Sequence, residues 1–264
     1  MTQNERLTIL VDRFKQDSER YRDLPVGDDP AEKRTALRSL MNIRPPRAMD
    51  ADTLRLQDEY LAERSAEQGV VTVEAIPARD RLSVWQGDIT RLAADAIVNA
   101  ANSSMLGCFQ PMHNCIDNCI HTFAGVQLRL ECARQMKELR AENGPDYQQP
   151  VAVPMLTPGY NLPARHVVHI VGPIVEDAVT AADRRALAAC YENTLALCLA
   201  NGLRTVAFCC ISTGVFRFPK EEAAPIAVDT VRAWLDANPG AMDRVIFAVH
   251  NDRDRALYEA LLRG

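Results

Sequence analysis

Leu7, Ile9, Leu10, Val11 and Phe14 recur at near-helical spacing, as do Leu37, Leu40 and Met41 and then Leu54, Tyr60 and Leu61, with charged residues between them. The pattern predicts three helices. Two proline-rich breaks, Leu24-Pro-Val-Gly-Asp-Asp-Pro30 and Arg44-Pro-Pro-Arg47, separate them, because proline cannot continue a helix and restricts the residue before it. Residues 1–69 thus read as a helical extension packed on a main domain. Its expected role is scaffolding, with substrate docking as the alternative.

From Gly69 the periodicity changes. Val70–Ile76, Leu82–Trp85, Ala96–Asn99, Val151–Leu156, His166–Val171, Arg204–Cys209 and Arg244–Val249 read as strands. Ile116–Leu139, Ala181–Ala200, Lys220–Asp236 and a terminal segment from about Asp254 to Leu262 read as helices between or after them. Near-continuous apolar strands alternating with amphipathic helices predict an α/β domain over residues 70–264, with a mixed, mostly parallel sheet covered on both faces. A ligand crevice then lies beyond the carboxyl ends of the strands. Three polar loops fall there: Gln86–Thr90, Asn99–Cys115 and Ile211–Pro219.

Composition narrows the function classes. The chain has 264 residues, 47% of them hydrophobic, enough for a substantial core. Lys and Arg number 30 against 35 Asp plus Glu, a formal charge of -5. That balance favours neither a polynucleotide nor an anionic membrane, but leaves room for a small anion held by backbone amides. Eight cysteines without a regular framework predict reduced thiols and a cytoplasmic compartment. The charged N-terminus does not resemble a signal peptide, and no apolar run approaches the ~18 residues needed to span a bilayer.

The loop after Ala96–Asn99 carries the chemistry. Cys108, His113 and Cys115 stand in a C-x4-H-x-C spacing that brings two thiolates and an imidazole together, a donor set suited to zinc. No fourth ligand is evident nearby, so a coordination position stays open for water or substrate. In the third loop Ser212, Thr213 and Gly214 separate a buried strand from a helix, so that consecutive N–H groups can curl around an anion such as pyrophosphate. Phe216 then offers an aromatic face to a sugar or base, or anchors the core.

Gly87-Asp88-Ile89-Thr90, Asp95-Ala-Ile-Val-Asn-Ala-Ala-Asn102, Ile211-Ser-Thr-Gly-Val-Phe216 and Phe218-Pro219 together resemble the macrodomain, an ADP-ribose-binding module. The resemblance covers roughly Val71 to Leu262 and implies a three-layer α/β/α fold with a mixed central sheet. Ordinary hydrolytic macrodomains carry a glycine run followed by V-D-G-C-I-H. Here Leu106-Gly-Cys-Phe-Gln-Pro-Met-His-Asn-Cys115 precedes Ile116-Asp-Asn-Cys-Ile-His121. That insertion is similar to the zinc-containing branch of bacterial and fungal macrodomains, which remove mono-ADP-ribose from proteins. With the glycine run reduced to Gly107, a bound metal is expected to hold the loop.

The resemblance implies roles residue by residue. Asp88 accepts from the adenine amino group beside the Ile89 amide, and Ser212, Thr213, Gly214, Val215 and Phe216 cradle the diphosphate and flank the distal ribose. Asn102 holds that ribose, Asp117 stands at the catalytic position, and Zn2+ sits on Cys108, His113 and Cys115. The implied partners are ADP-ribose and a mono-ADP-ribosylated protein, by family context a lipoyl-carrier protein modified by a sirtuin-like enzyme.

The same residues have ordinary roles open to them. Asp88 suits a turn, Asp117 a helix N-cap, Asn99 a loop tie and His121 a structural position one turn after Asp117. Cys119 and Cys132 are expected in the core, and Cys209 and Cys210 at the end of a buried strand. The leading expectation is a zinc-dependent hydrolase acting on ester-linked Asp/Glu modifications. A non-catalytic ADP-ribose reader with a structural zinc and a hydrolase of a small ADP-ribose derivative stand beside it.

Overall fold

The computed structural model describes residues 1–263. In chain order the elements are α1 (Gln3–Gln16), α2 (Pro30–Ile43), α3 (Ala51–Gln68), β1 (Val71–Thr72), β2 (Leu82–Gln86), β3 (Leu92–Ala93), β4 (Ala96–Ala100), α4 (Ile116–Ala124) and α5 (Val126–Asn143). There follow β5 (Met155–Pro158), β6 (His166–Ile170), α6 (Ala181–Ala200), β7 (Thr205–Phe208), α7 (Lys220–Ala237), β8 (Arg244–Val249) and α8 (Asp252–Arg263).

Ile97, Val98, Val167, Val168, Val206, Ala207, Val245 and Ile246 are fully buried, as strands covered on both faces must be. They build a six-stranded sheet in the order β2-β8-β7-β4-β6-β5. Only β5 is antiparallel to its neighbour. Helices α4 and α5 pack against β4 and β5, while α6, α7 and α8 pack on one another and on β6, β8 and β2, giving the three layers. The expected α/β/α architecture with a mixed sheet and N-terminal helices is therefore present. No helix among the described residues is long and apolar enough to cross a membrane.

The three N-terminal helices form where the spacing places them, each starting at a side-chain cap from Thr2, Asp29 or Asp50. Leu7, Leu10, Val11, Phe14, Leu37, Leu40, Leu56 and Leu61 close a second apolar cluster that also takes in Val126 at the start of α5.

Four expectations need correction. The strand read over Val70–Ile76 pairs only at Val71 and Thr72, against Leu92 and Ala93. Val73–Ala75 then tightens into a 3-10 turn that buries Val73 and Ile76 on one side. The strand read from Val151 starts at Met155, because Val151 and Ala152 lie in a turn, with Ala152 at φ 62° and Val153 N donating to Pro150 O at 3.3 Å. The strand read to Cys209 ends at Phe208, so Cys209 and Cys210 lie just beyond it.

The helix read over Ile116–Leu139 is broken at Gly125, which sits at φ +94°. There the Gln57 side chain of α3 accepts from Val126 N at 3.0 Å. At φ +94° any side chain would be strained, so the extension docks against a position that requires glycine.

Candidate active site

Since β2, β8, β7, β4 and β6 are parallel, their carboxyl ends open along one edge. The loop after β2 presents Asp88, whose Oδ1 accepts from Thr90 N (3.0 Å) and Thr90 Oγ1 (2.7 Å). It caps a short 3-10 turn over Ile89–Arg91. Among the described residues nothing bonds its Oδ2. The turn-former role is therefore real, and it leaves one carboxylate oxygen for an exocyclic amine.

The loop after β7 curls tightly. Ser212 sits at φ 65° and Phe218 N donates to its carbonyl at 3.0 Å, while Thr213 Oγ1 donates to Cys210 O at 2.9 Å. Gly172, beyond β6, lets the neighbouring backbone close in, since a Cβ there would stand 2.1 Å from Ser212 Oγ. Among the described residues no protein group accepts from the N–H of Gly214, Val215 or Phe216. A Cβ on Gly214 would meet nothing within 4 Å, and Val215 is 74% exposed. Consecutive amides without a protein acceptor in an exposed turn suit a phosphate. Phe216 is half-buried and packs on the core, so one face at most remains for a ligand.

Asn99, near the end of β4, and Asn102, just beyond it, meet Asp117 on the first turn of α4. Asn99 Nδ2 donates to Asp117 Oδ1 at 2.8 Å and approaches His169 Nδ1 at 3.1 Å. Asn102 Nδ2 donates to Asp117 Oδ2 at 3.4 Å and to Gly107 O at 3.2 Å. Burial pushes the Asp117 carboxyl up to about 6, opposed by the Asn99 hydrogen bond and the Arg129 charge. Asp117 does not cap α4. The cap is Cys115, whose Sγ accepts from Asn118 N at 3.4 Å.

His121 lies beneath, with Nε2 3.6 Å from Asp117 Oδ1. A Cβ on Gly107 would lie 2.8–2.9 Å from its ring atoms, so the ring packs against the bare backbone of Gly107, at φ +80°. Burial holds His121 well below its ordinary value.

His169 is a site residue the sequence reading missed. Its Nε2 lies 3.0 Å from Thr157 Oγ1 and 3.8 Å from Cys132 Sγ. Burial pushes its imidazole down to about 3, so it is neutral and fixes Asn99 from below. The unfolded chain takes up this proton near pH 6.5, hence stability falls as pH drops from there toward 3. His169→Gln keeps an acceptor for Asn99 but removes that titration. The drop in urea-unfolding free energy between pH 6.5 and 4.5 is expected to shrink by roughly 1–3 kcal/mol relative to wild type. Parallel pH profiles for the two proteins would contradict a buried neutral His169.

Cys108, His113 and Cys115 converge at the start of α4, where Cys115 stands two residues before Asp117. Cys108 Sγ is 3.5 Å from His113 Nδ1, and the three donor atoms all lie within 4.8 Å of one another. Two sulfurs and one imidazole at this spread fit a borderline cation, and all three residues are half-buried. Without a cation, burial pushes the Cys115 thiol up to about 12. All eight cysteines are free of disulfides. Cys132 is in the core as expected, whereas Cys119 is only half-buried, on the α4 face turned to α2, with Arg38 Nη2 at 3.7 Å.

The sequence profile of the Macro domain family matches residues 98–227, which contain the loops after β4 and β7. A protein of Treponema medium named Protein-ADP-ribose hydrolase is 46% identical, covering 99% of this chain and 100% of that protein. A Staphylococcus aureus protein of the same name is 44% identical over 84% of this chain and 82% of its own length. Among solved structures, the Trypanosoma brucei macrodomain in complex with ADP-ribose superposes with a TM-score of 0.65 at 30% identity, covering 89% of this chain and 96% of that one.

Proposed function

The chain belongs to the Macro domain family, and from that premise we propose that it is a zinc-dependent hydrolase removing mono-ADP-ribose from ester-linked Asp or Glu side chains of proteins. The observation that carries the proposal is buried Asp117, held between Asn99 and Asn102 two residues after Cys115. Relatives named Protein-ADP-ribose hydrolase, matched over 100% and 82% of their own lengths, support the hydrolysis of protein-linked ADP-ribose.

In this reading the free Asp88 oxygen takes the adenine amino group beside the Ile89 amide. The amides of Gly214, Val215 and Phe216 take the diphosphate, with Ser212 and Thr213 shaping the turn. Asn102 holds the distal ribose. Each Asp117 oxygen already accepts one asparagine amide and keeps a second lone pair, so the carboxylate can orient a water or ribose hydroxyl at the scissile carbon and receive its proton. The shut floor of Asn99, His121 and His169 keeps bulk water out from below. Cys108, His113 and Cys115 would hold the zinc, which when bound supplies Lewis acidity to a substrate oxygen. A lipoyl-carrier protein modified by a sirtuin-like enzyme is the partner class we propose, on the family resemblance alone.

The deciding experiment is release of ADP-ribose from an automodified protein, before and after chelation. Release that stops on chelation and returns with zinc supports the proposal. Zinc-loaded protein that binds ADP-ribose yet releases none would make it a reader, and activity confined to O-acylated ADP-ribose would move the substrate to a small molecule.

A second expectation concerns the phosphate loop. Because a side chain on Gly214 meets no protein atom, Gly214→Val should leave stability within about 0.5 kcal/mol. It should still weaken ADP-ribose binding by ~10-fold or more, because the branched side chain fills the space above the free amides. Calorimetry giving wild-type affinity would place the diphosphate elsewhere.

A further inference from the structure

The backbone of the Cys/His loop is held largely from outside the loop, and much of the hold comes from the N-terminal extension. Asn42, near the end of α2, is 1% exposed. Its Oδ1 accepts from Met112 N at 3.0 Å, and its Nδ2 donates to Thr122 Oγ1 at 2.9 Å on α4. Arg38, one turn earlier, donates through Nη2 to His113 O at 2.9 Å and to Asn118 Oδ1 at 3.1 Å. Asn118 in turn donates to Gln110 O at 2.9 Å and Cys108 O at 3.4 Å.

From the other side, buried Arg129 ties the loop to the end of α2. Its Nε donates to Leu106 O (2.8 Å) and its Nη2 to Cys108 O (3.4 Å). Its Nη1 donates to Met41 O (3.2 Å), Asn42 O (2.8 Å) and Arg44 O (2.6 Å). The guanidinium also lies 4.2 Å from the Phe109 ring centroid. The carbonyls of both Cys108 and His113 are thus pinned. The turn between them contains Met112 at φ 58°, a left-handed conformation disfavoured for a non-glycine residue, and its amide is the one Asn42 accepts.

We infer that Arg38 and Asn42 are positioning residues for the Cys108–His113–Cys115 site, so that the extension presets the loop before any metal arrives. The inference rests on the zinc reading above, but its mechanical part stands apart from it. Hydrogen bonds behind metal ligands orient them, and their removal weakens metal binding by about 10–100-fold.

The test uses the full chain carrying Arg38→Met or Asn42→Ala, with Arg55→Ala, an exposed side chain bonded to Glu59 on its own helix, as control. Hydrogen exchange in metal-free protein should speed up across residues 106–115 in both test variants, with protection of β4, β6 and β7 unchanged. Competition against a chromophoric zinc chelator should show zinc held ~10-fold or more weakly. Affinity for free ADP-ribose should stay within about threefold, because the loops after β2 and β7 are untouched. Exchange in the loop unchanged in both variants, or zinc held as in wild type, overturns the inference. If wild type takes up no zinc, the zinc reading fails by itself and the exchange result decides whether Arg38 and Asn42 position the loop. Should Asn42→Ala fail to fold, Arg38→Met decides, since Arg38 is only half-buried where Asn42 is 1% exposed.

Discussion

Asp117→Ala is expected to lower release of ADP-ribose from a carboxylate-linked protein by ~100-fold or more, the size of a positioned proton acceptor. Free ADP-ribose should bind the variant almost as before, since the product lacks the bond being broken and its diphosphate and adenine contacts lie on other loops. The fold should survive. Asn99 Nδ2 keeps His169 Nδ1 at 3.1 Å but loses the acceptor of its second hydrogen, so one buried N–H is left unpaired at a cost of about 1–3 kcal/mol, too little to unfold the domain. Parallel measurements of single-turnover release and calorimetric affinity check both halves. A fall in affinity matching the fall in rate would make Asp117 a binding residue and return chemistry to the other groups.

The second large effect is expected at Cys115, and the choice of substitution decides what is learned. Cys115 is at once a candidate zinc ligand and the N-cap of α4, the helix that carries Asp117. Alanine removes both roles and costs about 1 kcal/mol for the cap alone. Serine is a preferred N-cap but a poor ligand for a borderline cation, so Cys115→Ser keeps the helix start and disables the metal site. We expect about one zinc per chain in wild type, sub-stoichiometric zinc in Cys115→Ser, and a loss of release of ~100-fold or more with melting nearly unchanged in the metal-free proteins. Elemental analysis of protein never exposed to chelator, with turnover, measures this. Full activity in a zinc-free serine variant would remove the metal from the reaction.

What could be read in the sequence was whatever local pattern dictates. The apolar runs at β4, β6, β7 and β8 announced strands buried on both faces, and the polar residues after them fell at the carboxyl edge. The roles assigned to Asp88, Asn102, Asp117 and Ser212–Phe216 came from the macrodomain resemblance of the motifs that carry them; the local pattern supplied only their places at strand ends and at a helix start. The misses have nonlocal causes. Val70–Ile76 has the composition of a strand, but its partner is the two-residue β3, and beyond it Val73 and Ile76 bury better from a turn. The one local sign of the break is Gly125 itself, an isolated glycine inside a helical pattern, and the residue that occupies the gap is the distant Gln57. Asp117 looked like a cap because aspartate caps helices, yet its carboxylate is drawn inward to Asn99 and the cap passes to a cysteine. Arg129, Asn42 and His169 carried no signal, because their importance lies in partners far along the chain.

The capping of α2 by Arg129 has a consequence for engineering. The carbonyls of Met41, Asn42 and Arg44 and those of Leu106 and Cys108 share a single guanidinium, so the helix end and the loop behave as one mechanical part. Residues 106–115 are therefore not a portable cassette. Spliced into a macrodomain without the preceding helices, the segment would bring its two thiols and imidazole but leave behind the donors that aim them, and a graft of this chemistry would have to carry α2 along.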